Sequence, residues 1–169
     1  MHDCMVHHLH IARTSADIAD FASLCRDYAA SLPFSLEYQG FTDELASLPG
    51  LYAPPAGAII LARDGQNHAV ACIAVRPLAP SAILPGDPTP ACEIKRMWVA
   101  PSARGSGLGH ALMREAVAFA RSAGYALIKL DTSADMAAAQ ACYRRAGFTL
   151  APRYNDDIDP TTVYFAMVL

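Results

Sequence analysis

The stretch Arg104-Gly105-Ser106-Gly107-Leu108-Gly109 constrains this chain more than any other, because it stands between a strand-like run, Cys92 to Val99, and a helix-like one, Gly107 to Ala123. Alternating glycines carry no Cβ, so the backbone can turn sharply there and bring successive N–H groups together at the positive end of the helix. Such a site holds phosphate or pyrophosphate. Two nucleotide motifs are excluded by spacing: the dinucleotide fingerprint needs a third glycine where His110 stands, and a Walker loop needs a Gly-Lys-Ser/Thr string that the chain lacks. A turn kept only for packing is the competing reading, and three alternating glycines after an arginine exceed what a turn requires.

The rest of the chain reads as one domain around that loop. At 169 residues and 53% hydrophobic, it is long and apolar enough to bury a sizeable core, and 17% charged residues keep it outside the disordered regime. A net charge of −3 with no basic run gives nucleic acid nothing to bind. Apolar runs stay far short of the roughly 20 residues that cross a bilayer, so no membrane segment is expected. The start, MHDCMVHHLHIARTS, has no apolar core followed by a small-residue cleavage site, and a cytoplasmic protein with a frayed terminus over residues 1–7 is expected. Five scattered cysteines without CxxC read as reduced packing residues, and His2, His7, His8 and His10 lack ligand partners at metal spacing, so no metal is expected.

Periodicity supplies the elements. A short strand ends at Ile11 to Arg13; Ser15 can cap a helix whose apolar positions Ile18, Phe21, Ala22, Cys25, Tyr28, Ala29 and Leu32 follow helical spacing; Thr42 can cap a second, short helix. Gly57 to Arg63 and His68 to Arg76 form a hairpin across Asp64-Gly65-Gln66-Asn67, and the Pro-rich stretch Pro77 to Pro90 is a loop before the strand Cys92 to Val99. After the long helix come a strand Ala126 to Thr132, a helix Met136 to Ala146 closed by Gly147, and a strand Val163 to Leu169.

Arg104, Gly107 and Gly109 resemble the Arg/Gln-x-x-Gly-x-Gly/Ala signature of the GCN5-related N-acetyltransferase (GNAT) family. Upstream, Cys92 to Val99 resembles the family's fourth strand. Downstream, Cys142-Tyr143-Arg144-Arg145-Ala146-Gly147-Phe148 resembles its Leu-Tyr-x-x-x-Gly-Phe motif, and the similarity spans about residues 8 to 169. The resemblance implies a single α/β (α+β) domain with a mixed, largely antiparallel sheet, splayed where the strands near residues 92 to 99 and 126 to 132 run parallel. It also implies acetyl-CoA as acyl donor, held by Arg104, Gly105, Ser106, Gly107, Leu108, Gly109 and His110, with Met97, Trp98 and Val99 pairing with the pantetheine arm. Two positions depart from the family pattern: Met136 stands where many members have Asn, and Cys142 where they have Leu.

The resemblance makes Tyr143 the general acid that protonates the departing sulfur. Glu93 is the candidate base for the amine, with an ion pair to Lys95 on the same strand face as the bland alternative. Phe34, Tyr38 and Phe41 can line an acceptor pocket or close the core, and Asp156, Asp157 and Asp159 can attract a cationic amine or form a solvated turn. The expected function is acetyl transfer to a primary amine of a small molecule or peptide by direct attack in a ternary complex. A non-catalytic acyl-CoA sensor is the rival, and a homodimer stays open.

Overall fold

A computed structural model describes residues 7–169, so His2, Cys4 and the first six residues of the expected frayed terminus lie outside the described residues. The chain begins with β1 (His8–Ile11) and α1 (Ser15–Ser31). Thr14, rather than Ser15, caps α1: its hydroxyl accepts from the Asp17 N–H at 3.1 Å while the Asp17 carboxylate accepts from the Thr14 N–H at 3.1 Å. That reciprocal box needs an acid three residues on, and counting from Ser15 would reach Ile18 instead. Asp17 also draws in the imidazole of His10, 3.0 Å away, and the guanidinium of Arg63 at 2.8 Å.

Helix α2 (Phe41–Ala46) opens at Gly40, whose φ of +68° gives a left-handed entry, and the hydroxyl of the expected cap Thr42 donates instead to Glu37 at 2.6 Å. Next come β2 (Ala58–Arg63), β3 (Ala69–Pro77), β4 (Ala91–Val99), α3 (Leu108–Ser122), β5 (Leu127–Ser133), α4 (Ala137–Ala146), β6 (Thr149–Leu150) and β7 (Thr162–Val168). Every strand and helix expected from periodicity is present within a few residues. Only β6, two residues long, is too short to show alternation.

The seven strands lie in the order β1-β2-β3-β4-β5-β7-β6, and β4 with β5 is the one parallel pair among them. Helix α1 covers one face with a core that includes Phe21, Cys25, Tyr52, Leu61 and Cys72; α3 and α4 cover the other, where Ile73, Ile94, Leu112, Met113, Ile128, Leu130 and Phe165 pack. Cover on both faces explains why β2 reads as an unbroken apolar run. The Pro-rich loop folds over a third small cluster containing Leu78, Ala82, Leu127, Tyr154 and Tyr164. Among the described residues no helix is long and apolar enough to cross a membrane.

Two irregularities in β4 open a cleft in the sheet. Its parallel pairing with β5 runs only through Ala91/Leu127, Cys92/Ile128 and Glu93/Lys129, although both strands continue, so the sheet parts beyond Glu93. On its other side, Cys72 pairs with Trp98 and Ala74 with Lys95, two steps against three. The extra residue makes a β-bulge, and Arg96 sits in it at φ +56°. Alternation therefore slips: Glu93, Lys95 and Arg96 all face one cavity, whereas Ile94 and Met97 belong to the opposite core.

Candidate active site

On the α3 side of the parting strands lies the glycine loop. Gly105 and Gly107 have φ of +78° and +82°, angles that strain any side chain, and a Cβ on either would meet nothing within 4 Å. Backbone angle, not crowding, therefore requires glycine at these two positions. Gly109 differs, since a Cβ there would come within 3.3 Å of the Met97 Cε, and that flexible side chain would have to shift by a few tenths of an ångström. No side chain caps α3, and its first backbone bond runs from the Ala111 N–H to the Gly107 carbonyl. The N–H groups of Leu108, Gly109 and His110 consequently have no acceptor within the helix.

The side chains of this loop turn away from that cradle. Ser106 Oγ donates to the Ala103 carbonyl at 2.6 Å, Arg104 Nε donates to the Val99 carbonyl at 3.1 Å, and the Arg104 guanidinium covers the Trp98 ring at 4.8 Å. Trp98 packs its other neighbour, Tyr28, with ring centroids 5.8 Å apart, so its indole belongs to the α1 face. His110 Nδ1 lies 3.5 Å from Cys142 Sγ and joins α3 to α4. The family's Asn position is filled by Met136, whose sulfur accepts from Thr132 Oγ1 at 3.6 Å.

Tyr143 projects from α4 into the core, edge-on to Phe165 at 5.9 Å and Phe148 at 6.4 Å. Burial pushes its phenol pKa well above the usual value, and the neighbouring Tyr28, Cys142 and Asp131 add to the rise. The phenol is thus a protonated group shut off from water.

On the opposite face, beyond the point where β4 and β5 part, opens a cavity of about 330 Å³. Of the sequence candidates it brings together Glu93, Tyr38, Asp156 and Asp157; Phe34 stands outside it, 37% exposed, and Phe41 is buried under Arg96. Asp159 is also absent from the lining, because its carboxylate is spent on the Thr161 N–H and hydroxyl at 2.8 and 2.7 Å. Tyr38 donates to Asp157 at 3.4 Å, and burial together with that carboxylate pushes its pKa up to about 12.

The ionic partners differ from the sequence expectation. Glu93 pairs with Arg76, not Lys95: Arg76 Nε and Nη2 both reach Glu93 Oε1 at 2.6 Å, since the antiparallel register sets the two residues directly opposite. Lys95 faces no acid on β3 and spans the gap to Asp131 at 2.9 Å, where Asn155 also donates at 2.8 Å. Burial pushes the Asp131 carboxyl up, Lys95 pulls it down, and the net is below the ordinary value. Sequence reading missed Asp131, Arg76 and Glu44. The available signals were charges inside apolar strands, Lys129 and Asp131 in β5, and the adjacent Lys95-Arg96, which stretches the apolar interval from Ile94 to Met97 to three residues.

Residues 21–148 match the sequence model of the Acetyltransferase (GNAT) family. The chain belongs to the GNAT family. An uncharacterized N-acetyltransferase of Schizosaccharomyces pombe is 35% identical over 152 residues, 89% of this chain and 88% of that protein. An acetyltransferase of Streptococcus agalactiae shares the fold at a TM-score of 0.72 and 20% identity, over 96% of this chain and 98% of that one. A GNAT-family acetyltransferase of Staphylococcus aureus does so at 0.73 and 16%, over 94% and 98%. This GNAT protein is an acyl-CoA-dependent acetyltransferase, and the geometry of its glycine loop fits such a donor: an uncapped helix start with left-handed glycines leaves backbone N–H groups free for an anion such as a pyrophosphate.

Proposed function

We propose that this GNAT enzyme moves an acetyl group from acetyl-CoA to a primary amine of a small molecule or peptide by direct attack with both substrates bound, and that the amine arrives as a cation. One observation carries the reading. Where β4 and β5 part, Glu93 and Asp131 lie in the wall of an acid-rich cavity on one face of the sheet, and the uncapped start of α3 lies on the other, so two half-sites flank one gap. When bound, acetyl-CoA supplies a thioester for the amine to attack and a thiol as leaving group.

The chain's own residues divide the remaining work. The N–H groups at the start of α3 and the Gly105–Gly107 turn hold the pyrophosphate, and the strand Met97 to Val99 aligns the arm that follows. The cavity lining holds the carboxylates Glu44, Glu93, Asp131, Asp156 and Asp157 against Arg76, Lys95 and Arg96, leaving a negative surplus. Because the three cations are each paired within the cavity, Asp156 and Asp157 supply the field that concentrates a cationic amine. Glu93 Oε1 is committed to Arg76, while Oε2 faces the Tyr154 hydroxyl at 3.4 Å and is the atom that takes the ammonium proton, directly or through water. Tyr143 holds its proton on the phenol oxygen, out of water, ready for a thiolate. The direct test is an amine panel assayed for thiol release from acetyl-CoA. Turnover of cationic amines but not of neutral analogues is expected, and no turnover on any amine would overturn the proposal.

A further inference from the structure

Arg96 is the strained residue of the cleft and the most heavily tied. Its φ of +56° lies where side chains are disfavoured, and bulges with a left-handed residue commonly use glycine there. Yet the guanidinium is buried and gripped by both oxygens of Glu44 on α2, with Nε to Oε1 at 3.0 Å and Nη2 to Oε2 at 2.8 Å. Arg96 Nη1 donates to Gln39 at 3.3 Å, and its face lies 5.1 Å over the Phe41 ring. The Arg96 carbonyl accepts the Cys72 thiol at 3.2 Å.

Glu44 holds more than Arg96. It accepts the Tyr52 hydroxyl at 2.9 Å and stands 3.9 Å from Arg76, which in turn grips Glu93. Burial pushes the Glu44 carboxyl up and Arg96 pulls it down, with a net below the usual value, so the clamp is ionic at working pH. A paired, bidentate contact of this kind is far more directional than a surface ion pair. Around it, the helix that walls the acceptor cavity and the strand that faces the donor are bolted at one point.

We infer that Arg96 and Glu44 are a positioning pair whose clamp, rather than local backbone preference, sets the β4 bulge, so that donor strand and acceptor wall keep one spacing and occupancy of either half-site firms the other. The inference rests on the proposed assignment of the two half-sites. Glycine adopts a φ of +56° more readily than arginine, so Arg96→Gly separates the two causes. If backbone preference sets the bulge, that variant keeps or firms it; if the clamp does, the bulge loosens.

The experiment compares wild type, Arg96→Gly, Glu44→Gln and Glu44→Asp by calorimetry with CoA alone, by amide exchange, and by kcat and KM on an amine that the wild type turns over. Expected is an about tenfold weaker CoA affinity in Arg96→Gly and Glu44→Gln, within the usual span of roughly 5- to 150-fold for coupling between sites. Exchange should quicken at Lys95 to Val99 but not in β2 or β7, kcat should fall, and Glu44→Asp should recover part of each loss. Wild-type CoA affinity and exchange in Arg96→Gly would overturn the inference. Should that variant not fold, Glu44→Gln, of the same shape, decides the same question by the same two readouts. A wild type that binds CoA but acetylates no amine refutes the proposed function, while the affinity and exchange comparison still decides the clamp.

Discussion

On the proposed assignment, the glycine loop and the acid-rich cavity recognise their ligands by opposite means. The loop is six consecutive residues whose backbone makes the site, and its side chains, Arg104 and Ser106, fold back onto neighbouring carbonyls. The cavity is made of side chains from α2, β3, β4, β5 and three connecting segments, and ion pairs hold it in shape. A backbone site is fixed by conformation and depends on few positions. A side-chain site can be retuned by any of its contributors, which is how one fold serves many acceptors.

The largest expected effect breaks the loop. Gly107→Val should lower CoA affinity by about 10²-fold or more, because valine cannot hold a φ of +82° and the N–H groups lose their convergence. The protein should stay folded, since the added side chain enters open space. Calorimetry on the folded variant checks this, and unchanged affinity would remove the loop from the site.

Next in size is Tyr143→Phe, which should lower kcat by about 10²-fold, the usual share of a general acid, and leave CoA affinity unchanged. It tests whether the boundary between the two regions is chemical. Burial holds the phenol pKa far above the working range, so the wild-type rate should show no alkaline limb from Tyr143 below its ordinary value of 10.0. Wild-type turnover in the variant would reduce Tyr143 to a packing residue between Phe148 and Phe165.

What could be read from the sequence divides along the same line. The loop, its strand and its helix were legible because each is local: glycine spacing, alternation and helical period all sit within one window. The capping box was misplaced by one residue only, as the acid at Asp17 points to Thr14. The cavity was legible in its pieces, Glu93, Tyr38, Asp156 and Asp157, but not in its pairs. Arg76 opposite Glu93 follows from hairpin register across the long loop to β4, and Lys95 with Asp131 follows from the parting of parallel strands; neither relation is carried by neighbours in sequence. Arg96 was hidden further, because a left-handed arginine contradicts local preference and persists only through partners on another element.

A smaller effect sharpens the electrostatic half of the comparison. Asp156→Asn with Asp157→Asn should raise KM for a cationic amine by a few-fold at low salt, with kcat and CoA affinity unchanged, because the pair attracts ground and transition states alike. The difference from wild type should shrink as salt rises toward the roughly 8 Å screening length of physiological solution. Neutral amines should show no change. A KM for the cation that ignores both substitutions and ionic strength would leave these residues as surface.

The smallest expected effect is on acid stability, and it tests the ion pairs that shape the cavity. Glu44 and Asp131 are both held below their ordinary values of 4.5 and 3.8, after their cationic partners outweigh burial. A carboxylate with a depressed folded-state pKa contributes stability that is fully present above its unfolded pKa and is lost as pH falls through the folded one. Both groups should therefore stay charged and paired from about pH 8 down to about pH 5, and their contribution should begin to decline only below about 4.5, the ordinary value of Glu44. Arg76 and Arg96, both held above the ordinary arginine value, keep their charge throughout. Urea unfolding at a series of pH values should give a midpoint that falls below about pH 5, and Glu44→Gln should show a gentler acid decline, since one of the depressed carboxylates is gone. CoA affinity, which the proposed function assigns to backbone N–H groups, should not follow the acid limb until the fold itself is lost. An acid decline as steep in Glu44→Gln as in the wild type would mean that Glu44 is not paired as the cavity requires.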